Sequence, residues 1–126
     1  MVSLILWVLA FYFVGLMLPG PFLLAKIGVK NYAGARDNLP EPDMVQARAR
    51  RAQENFKESL PIFLALAMLA LIVPAVAMAQ AVLGAQVFLI ARLVYLPVYM
   101  SGVAWLRPII WSVSIIGLFM MALALI

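Results

Sequence analysis

The chain contains no cysteine and no histidine among its 126 residues. Without cysteine there is no disulfide, no thiolate nucleophile and no thiolate metal site. Without histidine there is no imidazole for a catalytic triad, a zinc site or a haem ligand. These absences remove metal centres that rest on thiolate or imidazole ligands, and no metal site is expected. Any thiol in this protein's chemistry must arrive with a small molecule.

Charge is scarce as well. Only 11% of residues are charged, whereas 67% are apolar. An ordinary soluble domain is about half apolar and about a quarter charged. A small soluble chain leaves much of its surface in water, so this much apolar surface could not be hidden. A water-soluble globular protein is therefore excluded, and an integral membrane protein fits. The net charge of +4 is small and local. It matches retention of basic loops in the cytoplasm and does not indicate nucleic acid.

What charge there is divides the chain. All five acids and seven of the nine bases lie between Lys26 and Glu58; the others are Arg92 and Arg107. About 20 helical residues cross a hydrocarbon layer of about 30 Å. Four apolar spans follow, at 3–24, 59–78, 81–101 and 108–126, in one transmembrane domain over 1–126. Residues 25–58 form a cytoplasmic loop with a helix extension. The expected fold is all-α, an integral membrane four-helix bundle.

The first span must run through Pro19, Gly20 and Pro21 to be long enough, with a kink or loosened turn. It carries no basic residue ahead of it and no clean cleavage site, so a retained helix is expected rather than a signal peptide. Gly, Asn and Pro punctuate 25–41, which reads as loop. A second helix is expected from Pro42 or Asp43, bent at Pro61. A break between Pro74 and Gln80 makes an antiparallel hairpin of spans two and three. Basic residues flank the first loop and Arg107 lies in the last one. The positive-inside rule then puts both loops in the cytoplasm and both termini outside.

Two polar stripes stand out. Counting from Arg48, the residues Arg51, Asn55 and Glu58 fall at roughly 300°, 340° and 280° around a helix, on one face. A solvated interface helix would explain a random charged run. An asparagine and a one-faced arrangement at the edge of an apolar span argue for more. In span three, Arg92, Tyr95 and Tyr99 form a second stripe. Arg92 lies about two turns inside the span, where facing lipid costs several kcal/mol. It must face protein or water, and a buried pair with Glu58 is the simplest expectation. Tyr95 and Tyr99 alone would be interface tyrosines; beside Arg92 they can line a polar cleft. Pro97 frees a backbone carbonyl nearby. The eight methionines read as packing. Trp105 and Trp111 mark the interface.

The run RARRAQENFKESLPIF, from Arg48 to Phe63, resembles the signature of the MAPEG family. These are membrane-associated proteins in eicosanoid and glutathione metabolism. The run ARDNLPE, from Ala35 to Glu41, resembles that of short bacterial members, as does the four-span plan. The resemblance implies an inner-membrane homotrimer of four-helix bundles. It implies glutathione as co-substrate, bound near the cytoplasmic face between subunits. Arg51, Asn55 and Glu58, with Arg48 one turn earlier, match the residues that hold the tripeptide. Arg92, Tyr95 and Tyr99 match the third-helix pattern, and Lys26 or Lys30 matches a basic residue from the end of helix one.

One departure concerns catalysis. The resemblance implies an arginine near the start of the last helix that stabilises the thiolate, and the alignment puts Trp111 there. Arg107, one turn earlier, and Ser112, a hydroxyl donor, are the remaining candidates. Three readings follow. The chain is a glutathione-dependent transferase or peroxidase acting on lipophilic electrophiles. Alternatively it is a non-catalytic member that binds lipid or a partner protein. The third reading is a purely structural membrane protein or transporter subunit.

Overall fold

The computed structural model describes residues 1–35 and 39–126. Arg36, Asp37 and Asn38, which belong to the second matched run, lie outside the described residues. Among the described residues five helices follow in order: α1 Val2–Met17, α2 Pro19–Tyr32, α3 Met44–Ile72, α4 Met78–Ser101 and α5 Leu106–Leu123. No strand occurs among the described residues.

Helices α1 and α2 together make the first of four helices long and apolar enough to cross a membrane. Leu18, at the joint, keeps right-handed helical angles, and its N–H donates to the Val14 carbonyl at 3.1 Å. Pro19 and Pro21 lack the N–H groups that would reach the Gly15 and Met17 carbonyls, which divides the helix at Leu18 while its path carries on. The helix thus continues through Pro19, Gly20 and Pro21. It also continues where a loop was expected, but only as far as Ile27. Gly28 breaks the helix, with φ 74° and ψ 165°, and the short helical stretch that follows folds back, so that the Tyr32 hydroxyl lies beside Gly20. Polarity set the start of that loop a few residues early, whereas glycine supplies the break. Lysine and asparagine expose easily but do not end a helix, and the Asn31 amide donates back to the Ile27 carbonyl at 3.1 Å. From Val2 to the break at Gly28 the helix is about 39 Å long, enough to cross the hydrocarbon layer.

Helix α3 starts at Met44 after an extended Asp43 and runs unbroken through Pro61. It ends at Ile72, earlier than the 59–78 span implied. Val73 is extended (φ −73°, ψ 129°) because Pro74 disfavours helical angles in the residue before it. The turn to α4 uses Ala75 in the left-handed region at φ 63°. Gly102 ends α4, also left-handed, at φ 82°.

Phe56, Phe63, Phe88 and Met121 anchor the core, with Val8 from α1. The Phe63 and Phe88 rings stack 4.8 Å apart. Helices α4 and α5 meet backbone to backbone at Gly84 and Gly117. A Cβ on either would come within 2.6–2.7 Å of the other's carbonyl oxygen. Small residues permit such approach between membrane helices. The Ala77 N–H donates to the Ala124 carbonyl, and Met1, Val76 and Leu125 pack on Ala70, Ala81 and Ala124. Both termini and the α3–α4 turn therefore share one end of the bundle. The start of α3 and the α4–α5 turn share the other end.

Candidate functional site

The site lies at the charged end, between α3, α4 and the start of α5. Helix α3 contributes Arg51, Glu54, Asn55 and Glu58 to a cavity of about 370 Å³. Helix α4 contributes Tyr95 and Tyr99, and α5 contributes Arg107, Pro108 and Trp111. A second cavity, of about 390 Å³, adjoins it and shares Arg51, Tyr99 and Arg107. Its remaining lining is Arg48 and the turn from Gly102 to Ala104. The first cavity thus offers both signs of charge, whereas the second offers three guanidinium groups and no acid.

The helical spacing that put Arg51, Asn55 and Glu58 on one face is what turns them to the cavity together. The opposite face of α3, with Ala49, Ala52, Phe56 and Phe63, packs inward. Tyr95 and Tyr99 are one turn apart, with ring centroids 5.5 Å apart. Arg107 donates from Nη1 to the Tyr99 hydroxyl at 3.4 Å, and its guanidinium lies 5.3 Å from that ring. A cation therefore does stand in the cavity. Trp111 follows one helical turn later on the same wall.

Arg92 does not line either cavity. It is 2% exposed and lies beneath the first one. Its Nη1 donates to Asn55 Oδ1 at 2.7 Å and its Nη2 to Ser59 Oγ at 2.9 Å. The expected pair with Glu58 is replaced by these two neutral acceptors. The cause is helix rotation: Ser59 is buried toward α4, while Glu58, the preceding residue, is exposed. Three rings, from Phe56, Phe88 and Tyr95, surround the guanidinium at 5.3–5.5 Å. Cation–π contact and two hydrogen bonds make a buried guanidinium tolerable without an adjacent acid.

Arg48 serves the scaffold as well as the second cavity. Its Nη1 donates to the Met100 carbonyl at 3.2 Å, capping the end of α4. Ser112 is exposed and lines neither cavity. Lys26 donates to the Glu41 carbonyl at 2.6 Å, away from both. Glu54, Ser59 and Pro108 were not singled out by sequence. Glu54 carried a signal, since it stands three residues after Arg51 and four before Glu58.

Arginine forks suit carboxylates, and Glu54 and Glu58 suit an ammonium group. Only the first cavity brings both kinds of group together. Comparison with known families gives a match to the MAPEG family over residues 4–126. The chain belongs to the MAPEG family. A comparison with curated proteins gave no match. Membership makes this chain a membrane protein of the glutathione and eicosanoid metabolism family, and its four long apolar helices make it an integral one.

Proposed function

We propose that this MAPEG protein binds glutathione at the charged end of the bundle and uses it on lipophilic electrophiles, as a transferase or peroxidase. The supporting observation is the gathering of Arg51, Asn55, Glu58, Tyr95, Tyr99 and Arg107 around one cavity. Glutathione carries two carboxylates and an ammonium, and this donor set fits it. It would also supply the thiol that the chain lacks. Arg51 and Asn55 bind its carboxylate oxygens, and Glu58 binds its ammonium. Arg107 holds the deprotonated sulfur, since an adjacent cation favours a thiolate over a thiol. The Tyr99 hydroxyl orients that guanidinium. The electrophile enters from lipid.

The same reading makes the protein a homotrimer of the bacterial inner membrane. Both termini lie outside, and the charged end faces the cytoplasm. A second reading rests on Trp111 in the cavity wall: a non-catalytic member that binds lipid or a partner protein. Trp111→Arg separates the two, because it creates activity only if none exists.

A thermal unfolding scan in detergent, with and without millimolar glutathione, tests the binding. A ligand that binds only the folded state raises the midpoint. The expected result is a clear rise that Arg51→Ala abolishes. No rise at saturating glutathione would overturn the reading.

A further inference from the structure

The floor of the cavity has a polarity of its own. Arg92 is a donor-only side chain. Because its Nη1 meets Asn55 at 2.7 Å, the Asn55 atom it touches must be the carbonyl oxygen. The usual ambiguity between amide oxygen and nitrogen is removed by the partner. Ser59 is fixed in the same sense. Its hydroxyl donates to the Phe56 carbonyl at 3.0 Å and accepts from Arg92 at 2.9 Å. Every hydrogen bond in this floor therefore runs outward from the guanidinium. Asn55 is half-buried and also lines the cavity, and its oxygen is already engaged below. What it has left to present is its NH₂.

We propose that Arg92 is a positioning residue that locks the Asn55 amide with its oxygen inward and its NH₂ toward the cavity, so that the ligand group recognised at Asn55 is an anionic acceptor, a carboxylate. This rests on the glutathione reading for the identity of the ligand, though not for the orientation of the amide. The buried cation also polarises the amide it holds, which strengthens the outward donor. Arg92 thus acts on the ligand through Asn55 without touching it.

Asn55→Asp tests this, because it is nearly isosteric. The new carboxylate still accepts from Arg92, but it turns an oxygen to the cavity where a donor stood. Two quantities are measured on detergent-purified protein: the unfolding midpoint without ligand, and the affinity for glutathione. The expected result is an unliganded midpoint no lower than that of the native chain, with affinity down about tenfold or more. Affinity equal to or tighter than the native chain's would overturn the donor role, since an ammonium would then be the group at Asn55. A clearly lowered unliganded midpoint would overturn the orientation. That arm holds even if the native protein ignores glutathione, an outcome that sinks the functional reading alone. Arg92→Met is the companion variant, as an apolar residue replaces a buried charge without leaving an unpaired one. It is expected to weaken glutathione binding several-fold with the unliganded midpoint preserved, and unchanged affinity would overturn the positioning role.

Discussion

Arg107 separates binding from chemistry in the proposed site. It stands in both cavities, against Tyr99, at the start of α5. Arg107→Ala is expected to lower glutathione-dependent turnover by about a hundredfold, the usual effect of losing a charge stabiliser. The thermal shift with glutathione should largely persist, because Arg51 and Asn55 remain. Steady-state rates with a lipophilic electrophile, beside the thermal scan, check this. An equal loss of shift and rate would make Arg107 a binding residue only. Much of the α3 stripe was legible from helical spacing, because residues three and four apart share a face whatever surrounds them. The partner of Arg92 was not legible. Opposite charge suggested Glu58, but the rotation of α3 against α4 delivers Asn55 and Ser59 instead.

At the scale of the helices, two close approaches carry the geometry. Gly84 and Gly117 let α4 and α5 touch, and no spacing within either helix announces a contact between them. Gly84→Leu is expected to push α5 away from α4 and to lower the unfolding midpoint sharply, as read by circular dichroism on heating. At the end of α4, Gly102 is left-handed and its missing side chain leaves room for the Arg48 guanidinium. Gly102→Ala meets both obstacles. The left-handed backbone alone costs about 1–2 kcal/mol, and the displaced Arg48 uncaps α4 beside Arg107. Such a variant should lose midpoint and glutathione response together. Ala75 is the opposite case, a residue with a Cβ in the left-handed region. Ala75→Gly should stabilise by up to about 1 kcal/mol, measured by the same melts. Proline explains where α3 stops, and that much can be read from Pro74 in the sequence. The continuation of α2 past Leu24 to Ile27 cannot, because polar composition is shared by loops and exposed helices.

For the whole molecule, sidedness is the open geometric consequence. Both termini share one end and the arginine-rich cavities occupy the other. The chain has no native cysteine, so single introduced cysteines report without background. Ser101→Cys, beside the α4–α5 turn, is expected to react with a membrane-impermeant maleimide only from the cytoplasmic side. Ser3→Cys, near the N-terminus, should react only from the opposite side. Labelling in intact cells and in opened membranes distinguishes the two. The reverse pattern would turn the proposed glutathione site away from the cytoplasm.

The membrane setting, the four spans, the charged end and the lack of any thiol of its own followed from sequence alone. Composition, length and periodicity are properties of the chain taken one segment at a time, and the bilayer acts on each segment separately. The tertiary structure alone decided which groups meet. It put Arg107 in the cavity, Arg92 beneath it and Ser112 outside. Those outcomes depend on how far each helix is rotated and how closely it approaches its neighbour. Packing at Phe63, Phe88, Gly84 and Gly117 sets both, and such contacts join residues far apart in the chain.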